Sequence, residues 1–280
     1  MRAVEGSRGH VSTSIPLYDG YIFDLDGTVY LGDALLPGAR EAIEALRTMG
    51  RRVVFLSNNP TRTGAQYAAK LTALGLPTAA SDVINSSQVM VRWLLAEAPG
   101  SAVFVVGEQA LKDELTAAGF RLVERAEEVD VVVASFDRTF DYRKLQVSFD
   151  AIRRGARFVA TNADRYCPVP GGGEPDAAAV IAAIEACTAT AVEVVVGKPS
   201  PIMARAVASL VQLPPERCVM VGDRLETDIA MGVGAGMATA LTLTGATSRQ
   251  QAAESPVRPD YVIEGLMELV GRDLPGGEAE

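Results

Sequence analysis

Short apolar runs alternate with amphipathic segments along most of the chain. The runs at residues 20–24, 52–57, 218–221 and 239–243 are rich in β-branched and aromatic residues and have the length of buried strands. The segments between them carry apolar residues at helical spacing. This alternation is typical of βα units, and it predicts an α/β fold built on a parallel sheet.

A second group of the same units lies in the middle of the chain. It contains predicted strands at residues 103–106, 129–134 and 157–161, and then a loop at 162–175 that is rich in glycine and proline. A further strand is predicted at residues 193–196. The main predicted helices occupy residues 37–49, 61–74, 82–98, 141–154, 176–187, 201–212, 227–234 and 263–270.

Composition places the chain among ordinary globular proteins. Of its 280 residues, 48% are hydrophobic and 22% are charged, and the net charge of −9 argues against nucleic acid or anionic membranes as partners. No apolar run approaches the roughly 18 residues that a spanning helix needs. The Gly/Ser-rich residues 1–16 lack the apolar core of a signal peptide and are predicted to be disordered, as is the tail 273–280. A cytoplasmic location is therefore expected.

Cysteine and histidine usage narrows the possible chemistry. Cys167, Cys187 and Cys218 are odd in number and lack paired spacing, which indicates a reducing compartment and no zinc site. The only histidine, His10, lies in the N-terminal tail, so histidine-based catalytic triads and histidine-ligated metals are excluded. Acid–base chemistry then falls to carboxylates or lysine.

Two carboxylates follow the first predicted strand at a spacing of two residues. Asp24 and Asp26 therefore leave the strand on the same side, and Gly27 allows a sharp turn directly after them. A calcium loop would need glycine where this chain has Val29, which excludes that interpretation. One interpretation is that the two carboxylates act as a nucleophile and a proton donor beside a hard cation. The alternative is that they only cap the turn that follows the strand.

Three other strand ends carry polar side chains. Ser57 and Asn58 follow the second strand and can donate to phosphate oxygens, although both residue types also cap turns. Lys198 follows the strand at 193–196 and offers a point charge for a phosphoryl group. The alternative is that Lys198 is a solvated surface residue. Asp223 and Asp228 lie after a fourth strand, and helix capping explains Asp228 better than it explains Asp223.

The four strand ends together, in this order, resemble the haloacid dehalogenase superfamily. Its motifs stand here as Asp24-x-Asp26-Gly27-Thr28, Ser57, Lys198 and Gly222-Asp223-x-x-x-x-Asp228. The chain is similar, over about residues 17–270, to the branch of p-nitrophenyl phosphatase-like, phosphoglycolate, glycerol-phosphate and pyridoxal phosphate phosphatases. The resemblance implies a Rossmann-like parallel-sheet core at residues 17–82 and 187–272, with an inserted α/β cap at residues 83–186.

The resemblance also implies a mechanism for the acidic residues. Asp24 is expected to attack phosphorus and form an aspartyl-phosphate, while Asp26 acts as general acid and then as general base. Mg²⁺ is expected as the cofactor, bound by Asp24, Asp223 and the backbone carbonyl of Asp26. Together these roles describe a magnesium-dependent phosphatase that hydrolyses a small phosphate monoester.

Other residues are assigned supporting roles by the same resemblance. Ser57 and Asn58 are expected to donate to the phosphoryl group, and Lys198 to neutralise it. Asp228 is expected to orient either Lys198 or a water on the metal.

The cap is expected to select the leaving group. Asp164, Arg165, Tyr166 and Cys167 match the region that contacts substrate in relatives and are candidate specificity residues. Arg165 has an equally plain interpretation as a surface residue paired with an acid. The cap is also expected to present a homodimer surface.

Alternatives to a phosphatase remain at this point. The same core can serve a phosphotransferase or mutase, and a chain with these motifs can be a phosphate-binding regulatory protein without turnover. A receiver-type signalling domain also uses a phospho-aspartate and a lysine, but it needs neither Asp26 nor an insertion of this size. The physiological substrate stays open among glycolytic-size phosphates, sugar phosphates, nucleoside monophosphates and pyridoxal phosphate.

Overall fold

A six-stranded parallel sheet forms the larger half of the molecule. The computed structural model describes residues 15–271, and the predicted tail 273–280 and most of the tail 1–16 lie outside this range. In spatial order the strands are β15 (Tyr261–Ile263), β14 (Ala238–Thr242), β13 (Cys218–Gly222), β1 (Gly20–Asp24), β4 (Arg52–Ser57) and β5 (Val83–Asn85).

Helices lie on the faces of this sheet, as crossover connections between parallel strands require. The helices that precede or follow its strands along the chain are α1 (Ala39–Thr48), α2 (Gly64–Ala73), α3 (Ser86–Glu97), α7 (Pro201–Val211), α8 (Ala230–Ala235) and α9 (Arg249–Glu254). Three of them begin with reciprocal capping boxes, which pair Thr63 with Gln66 at α2, Asn85 with Gln88 at α3 and Ser248 with Gln251 at α9. These caps fix where the chain turns from strand end to helix.

A second, five-stranded parallel sheet forms the smaller half. Its strands, in spatial order, are β12 (Val194–Val195), β9 (Arg157–Ala160), β8 (Val131–Ala134), β6 (Ala102–Val106) and β7 (Arg121–Leu122). The segments between its strands contain α4 (Gln109–Ala117), α5 (Tyr142–Arg153) and α6 (Ala177–Thr188). The predicted α/β fold, with a parallel-sheet core and an inserted α/β cap, is confirmed.

Two small antiparallel hairpins project from these layers. The strands β2 (Tyr30–Leu31) and β3 (Ala34–Leu35) follow the first acidic motif, and β10 (Tyr166–Val169) and β11 (Gly172–Pro175) belong to the cap. The second hairpin occupies the segment that was predicted to be a loop at 162–175. Its glycines gave no strand signal because strand propensity reflects side-chain packing, which glycine lacks.

Alternating side chains of the central strand β1 supply both faces of the core. Tyr21 and Phe23 join an apolar cluster with α1 and α2, whereas Ile22 joins a cluster on the opposite face. That second cluster continues through α3 and α7 to Val103 and Val133 of the cap sheet. One apolar core therefore connects the two sheets.

The predicted cap boundaries at residues 83 and 186 do not match the strand pairing. Residues 83–85 form β5 of the larger sheet, where the sequence predicted the start of a helix, because Asn85 caps that helix one turn later. Strand β12, which was assigned to the core, pairs with β9 of the cap sheet. The helix predicted at 263–270 is instead the end of β15 followed by a short 3₁₀ turn, Leu266–Leu269.

The helices are short compared with the thickness of a bilayer. Within residues 15–271, none combines the length and apolar character needed to cross a membrane.

Candidate active site

The carboxyl ends of three adjacent strands bring the predicted motifs together. Asp24 ends β1, Ser57 ends the neighbouring β4, and Asp223 directly follows β13 on the other side of β1. Ligands of open parallel sheets bind at this edge, because helix N-termini and loop side chains converge there. The spacing of the motifs in sequence thus becomes proximity in the fold.

Lys198 lies at the centre of this group. Its Nζ donates to Asp24 Oδ1 at 2.5 Å and to Asp228 Oδ1 at 2.6 Å, and all three side chains are buried. Burial opposes the positive charge, but the two carboxylates outweigh that cost and raise the pKa of Lys198 above its ordinary value. The ammonium group therefore stays charged at neutral pH.

A π-helical turn at Leu225–Ile229 positions Asp228. Its Oδ2 accepts the backbone N–H of Arg224 at 3.1 Å, so one oxygen fixes the loop while the other receives Lys198. Single π turns of this kind occur frequently at functional sites. Asp228 is therefore placed to orient the lysine.

Three buried carboxylates surround this single ammonium group. Oxygens of Asp24, Asp223 and Asp228 lie within 4.8 Å of one another. Burial raises the pKa of Asp24 well above its ordinary value, with Asp228 and Asp223 acting in the same direction. Burial, with the neighbouring Asp228, likewise raises the pKa of Asp223 to about 7. The cluster has an excess of negative charge that a cation would offset.

Asp223 supplies a further test of whether a cation fits. Its Oδ2 accepts the backbone N–H of Ala246 at 2.6 Å, whereas its buried Oδ1 has no hydrogen-bond partner among residues 15–271. A Cβ atom at Gly27 or Gly245 would lie 2.5 or 2.0 Å from Oδ2, so these two glycines leave the room that the carboxylate needs. An unpaired buried carboxylate oxygen in an oxygen-rich cluster suits a hard divalent cation.

Asp26 lies beside this cluster and is only partly buried. Tyr30 donates its hydroxyl to Asp26 Oδ2 at 3.3 Å. Desolvation raises the pKa of the Asp26 carboxyl, while Lys70 and the Tyr30 hydrogen bond oppose that effect. A carboxyl group with a raised pKa at the pocket suits proton transfer to and from a substrate.

Asn58 has a different use from the one predicted. Its Nδ2 donates to Asp164 Oδ2 at 3.0 Å and to the carbonyl of Lys198 at 3.2 Å, and its Oδ1 accepts the N–H of Lys198 at 2.7 Å. A primary amide matches a peptide group in this way because it offers both a donor and an acceptor. Asn58 thus fixes the backbone of Lys198, and both of its own amide hydrogens have protein partners.

The hydroxyl of Ser57 remains available at the pocket. It accepts the N–H of Asn59 at 3.1 Å and reaches the Tyr67 hydroxyl only at 3.5 Å, which is a long hydrogen bond. It can therefore turn toward a phosphoryl oxygen.

The cap supplies the other wall of the pocket. Asp164, Tyr166 and Cys167, three of the four candidate specificity residues, line it together with the core residues. Arg165 does not: it is exposed and lies outside the pocket lining. Arg165 is thus a surface residue, and its side chain has no acidic partner among residues 15–271.

Several lining residues were not predicted from the sequence. They are Asn59, Pro168, Asp176, Arg224 and Thr227. Asp176 had only the signal of a helix N-cap, which its hydrogen bond to Ala177 N confirms. Arg224 directly follows Asp223, which was predicted to bind the metal. This adjacency is the only feature of the sequence that indicates a place for Arg224 at the site.

Ionisation of the cap residues follows their burial. Burial raises the pKa of the Cys167 thiol to about 12, so this cysteine is a neutral wall of the pocket and not a nucleophile. Burial, with the nearby Asp164, raises the pKa of Asp176 to about 7. The cap side of the pocket therefore contains a carboxyl group whose pKa lies near neutrality.

Known protein families match both parts of the larger sheet. A family model described as haloacid dehalogenase-like hydrolase matches residues 21–121, and one described as HAD-hydrolase-like matches residues 195–269. The Sugar-phosphatase AraL of Bacillus subtilis is 42% identical over 250 residues, which cover 89% of this chain and 91% of that protein.

Solved structures give the same result. A 4-nitrophenylphosphatase from Thermotoga maritima superposes with a TM-score of 0.85 at 35% identity, covering 94% of this chain and 98% of that one. The glycerol phosphate phosphatase from Mycobacterium tuberculosis, in complex with magnesium, has a TM-score of 0.83 at 34% identity and covers 90% and 76%. The predicted resemblance is thereby confirmed. The chain belongs to the haloacid dehalogenase-like hydrolase family and, within it, to the phosphatases.

Proposed function

We propose that the protein hydrolyses small phosphate monoesters through an aspartyl-phosphate on Asp24, with Mg²⁺ as its cofactor. The observation that carries the proposal is the cluster in which Lys198 joins Asp24 to Asp228 beside the unpaired oxygen of Asp223. A purely structural role does not account for it, because burying three carboxylates around one ammonium group costs stability.

The first step transfers the phosphoryl group to the protein. An oxygen of Asp24 attacks phosphorus, the bond from phosphorus to the ester oxygen breaks, and Asp26 gives its proton to the leaving oxygen. Lys198 and the Ser57 hydroxyl stabilise the negative charge of the phosphoryl oxygens. The raised pKa of Asp26 supports its role as the acid in this step.

The second step returns the protein to its starting state. Asp26, now ionised, takes a proton from a water molecule as that water attacks phosphorus. The bond between phosphorus and Asp24 breaks, and inorganic phosphate leaves. One carboxyl group thus acts first as acid and then as base, so no histidine is required.

A divalent cation fits the residues present. Asp24, Asp223 and the backbone carbonyl of Asp26 would bind it, and the bound cation would neutralise charge on the transferring phosphoryl group. The magnesium complex of the similar glycerol phosphate phosphatase supports Mg²⁺ as the ion.

Sugar phosphates stand first among the substrates that we propose. The 42% identity to a protein named a sugar-phosphatase supports them. So does the polar wall of Asn59, Asp164, Asp176 and Thr227, which offers partners for hydroxyl groups. The homodimer through the cap and the cytoplasmic location stay predictions.

Phosphate release from a panel of metabolites tests this proposal. With Mg²⁺ present, we expect the wild type to release phosphate from sugar phosphates and from p-nitrophenyl phosphate, and Asp24→Asn to lose at least about 10⁴-fold in turnover. Asp33→Asn is the matched control, because the Asp33 side chain is 95% exposed on the β2–β3 hairpin. Equal rates in Asp24→Asn and the control would reject Asp24 as nucleophile, and release that requires an added alcohol would indicate a phosphotransferase.

A further inference from the structure

Arg224 connects the catalytic loop of the core to the hairpin β10–β11 of the cap. Its Nη2 donates to the carbonyl of Tyr166 at 3.0 Å, and its guanidinium carbon lies 4.7 Å from the centroid of the Tyr166 ring. Both contacts are made to the first residue of β10, and Arg224 and Tyr166 both line the pocket. The pair therefore forms part of the wall that a leaving group meets.

The backbone of Arg224 is held by the catalytic cluster. Its N–H donates to Asp228 Oδ2 at 3.1 Å, and its carbonyl accepts the N–H groups of Asp228 and Ile229 at 3.1 and 3.2 Å. The other oxygen of Asp228 accepts Lys198. Arg224 thus extends from the same turn that orients the lysine.

The β10–β11 hairpin makes few other polar contacts to the core within residues 15–271, although Pro170 in its turn lies close to Gly32. Its turn and second strand contain Gly171, Gly172 and Gly173, which carry no side chains to pack. The Tyr166 ring lies directly against Gly173, where an added Cβ would come within 2.7 Å of a ring carbon. Another polar contact to the core, from Asn59 Nδ2 to Cys167 Sγ at 3.4 Å, uses a weak acceptor. The planar, charged guanidinium is a much stronger connection.

We propose that Arg224 is a positioning residue that fixes the β10–β11 hairpin through Tyr166 and so sets the width of the leaving-group site. This inference rests on the proposed phosphatase function. Small leaving groups need the hairpin close to the catalytic loop for water to be excluded, whereas a bulky aryl group tolerates a wider site. Arg224 therefore favours small substrates over large ones without itself touching the reacting atoms.

Selectivity between two substrates tests the proposal. For Arg224→Ala we expect the KM of glycerol 3-phosphate to rise at least tenfold with a smaller change in kcat. We also expect the ratio of kcat/KM for glycerol 3-phosphate to that for p-nitrophenyl phosphate to fall at least fivefold. An unchanged ratio would overturn the proposal.

A double-mutant cycle asks whether Arg224 acts through Tyr166. We expect the double variant to lose no more selectivity than Arg224→Ala alone, and Tyr166→Ala, which removes the ring but keeps the carbonyl that accepts Arg224 Nη2, to lose less. Multiplying effects would overturn the proposal, because they would show that Arg224 acts independently of Tyr166. Tyr166→Phe, which keeps the ring and the carbonyl, should match the wild type. Arg224→Lys, which keeps only the charge, should recover less than half of the selectivity.

Trypsin cleavage supplies a measurement that does not depend on activity. The bond after the exposed Arg165 lies next to the contact, so we expect Arg224→Ala to be cut there at least five times faster than the wild type. Cleavage at the wild-type rate would overturn the proposal even if the protein released no phosphate. Absence of phosphate release from the wild type, with faster cleavage of the variant, would reject only the proposed function.

Discussion

Lys198 shows how a single residue sets the charge state of the site. It pairs with Asp24 and Asp228 at once, and all three side chains are buried. Removing one partner of such a buried pair typically costs 3–5 kcal/mol, because the other charge is left uncompensated. The lysine therefore stabilises the fold and, at the same time, opposes the rise in the pKa of Asp24 that burial causes, which favours the ionised nucleophile that attack on phosphorus requires.

Replacing Asp26 by Asn separates the two chemical steps. The variant cannot supply a proton to a poor leaving group or take one from water, so hydrolysis of an alkyl phosphate should fall by about 10²- to 10⁴-fold. With p-nitrophenyl phosphate, whose leaving group needs little protonation, we expect a rapid burst of p-nitrophenol followed by slow turnover. Stopped-flow absorbance measures the burst, and a linear time course without a burst would contradict the two-step scheme.

Metal binding should increase the stability of the folded protein, and the increase should depend on Asp223. A cation that offsets the three carboxylates binds the folded protein only, and at 100 times its Kd it adds about 2.7 kcal/mol. We expect Mg²⁺ to raise the Tm of the wild type, and chelation by EDTA to reverse the rise and abolish phosphate release. Asp223→Asn should lose most of the shift, while Asp33→Asn keeps it. An equal shift in both variants would place the metal elsewhere.

Among individual residues, the sequence predicts the place of those that lie at the end of a strand. Asp24, Ser57 and Asp223 are of this kind, because strand ends of a parallel sheet share one edge. The partners of Asn58 and the contact made by Arg224 could not be predicted, since each depends on a backbone group that is distant in sequence. Hydrogen bonds of that type leave no periodic trace in the chain.

Helix α6 shows how a secondary-structure element contributes a charged group to the pocket. Asp176 caps α6 by accepting Ala177 N, and it also accepts Asn162 Nδ2 at 3.0 Å. The cap therefore places a titrating carboxyl, with a pKa of about 7, where α6 begins. The start of a helix favours negative charge, yet burial outweighs that preference here.

The stability of the protein should depend on pH through Asp176. Its folded pKa of about 7 exceeds the ordinary value near 3.9, so the folded state holds the extra proton in this range and the free energy of unfolding falls as pH rises. One such group contributes at most about 1.4 kcal/mol per pH unit. In Asp176→Asn the amide oxygen can still accept both hydrogen bonds, and this pH dependence is removed.

Urea unfolding at pH 5, 6 and 7 measures the effect. We expect the stability of Asp176→Asn relative to the wild type to increase by about 2 kcal/mol from pH 5 to pH 7. Asp113→Asn, an exposed carboxyl on α4, is the control and should show no such trend. Identical pH profiles for wild type and Asp176→Asn would contradict the assignment.

Most elements were predictable from apolar periodicity, and the exceptions share one cause. In the hairpin β10–β11 the second strand is Gly-Gly-Glu-Pro and the first contains Pro168, and β5 is only three residues long. The predicted helix at 263–270 ends a strand and then turns, although its apolar spacing suits a helix. In each case tertiary pairing decides the structure, and the local pattern is too short or too weak to show it.

Across the whole molecule, one apolar cluster connects the two sheets. It includes Ile22 and Leu56 of the larger sheet and Val103 and Val133 of the cap sheet, with α3 and α7 between them. Halves that share a core in this way lose much of their burial if they separate. The cap is thus part of the cooperative structure and not a loosely attached lid.

Unfolding should therefore occur in a single transition. Trp93, the only tryptophan, lies on α3 against this cluster, so its fluorescence reports the junction, while far-UV circular dichroism reports both sheets. We expect the two signals to change together with urea. Separate midpoints would show that the halves unfold independently.

The pairing of β12 with the cap sheet bears on how relatives of this protein could be recombined. Val194 and Val195 belong to the cap by hydrogen bonding, and Gly197 N continues the ladder to Thr161, one residue before Lys198. A chimaera that exchanges the insertion at residue 186 would sever this ladder and detach the lysine from its support. Grafts that carry the donor's chain through residue 197 would keep the substrate-recognition module and the charged side chain in register.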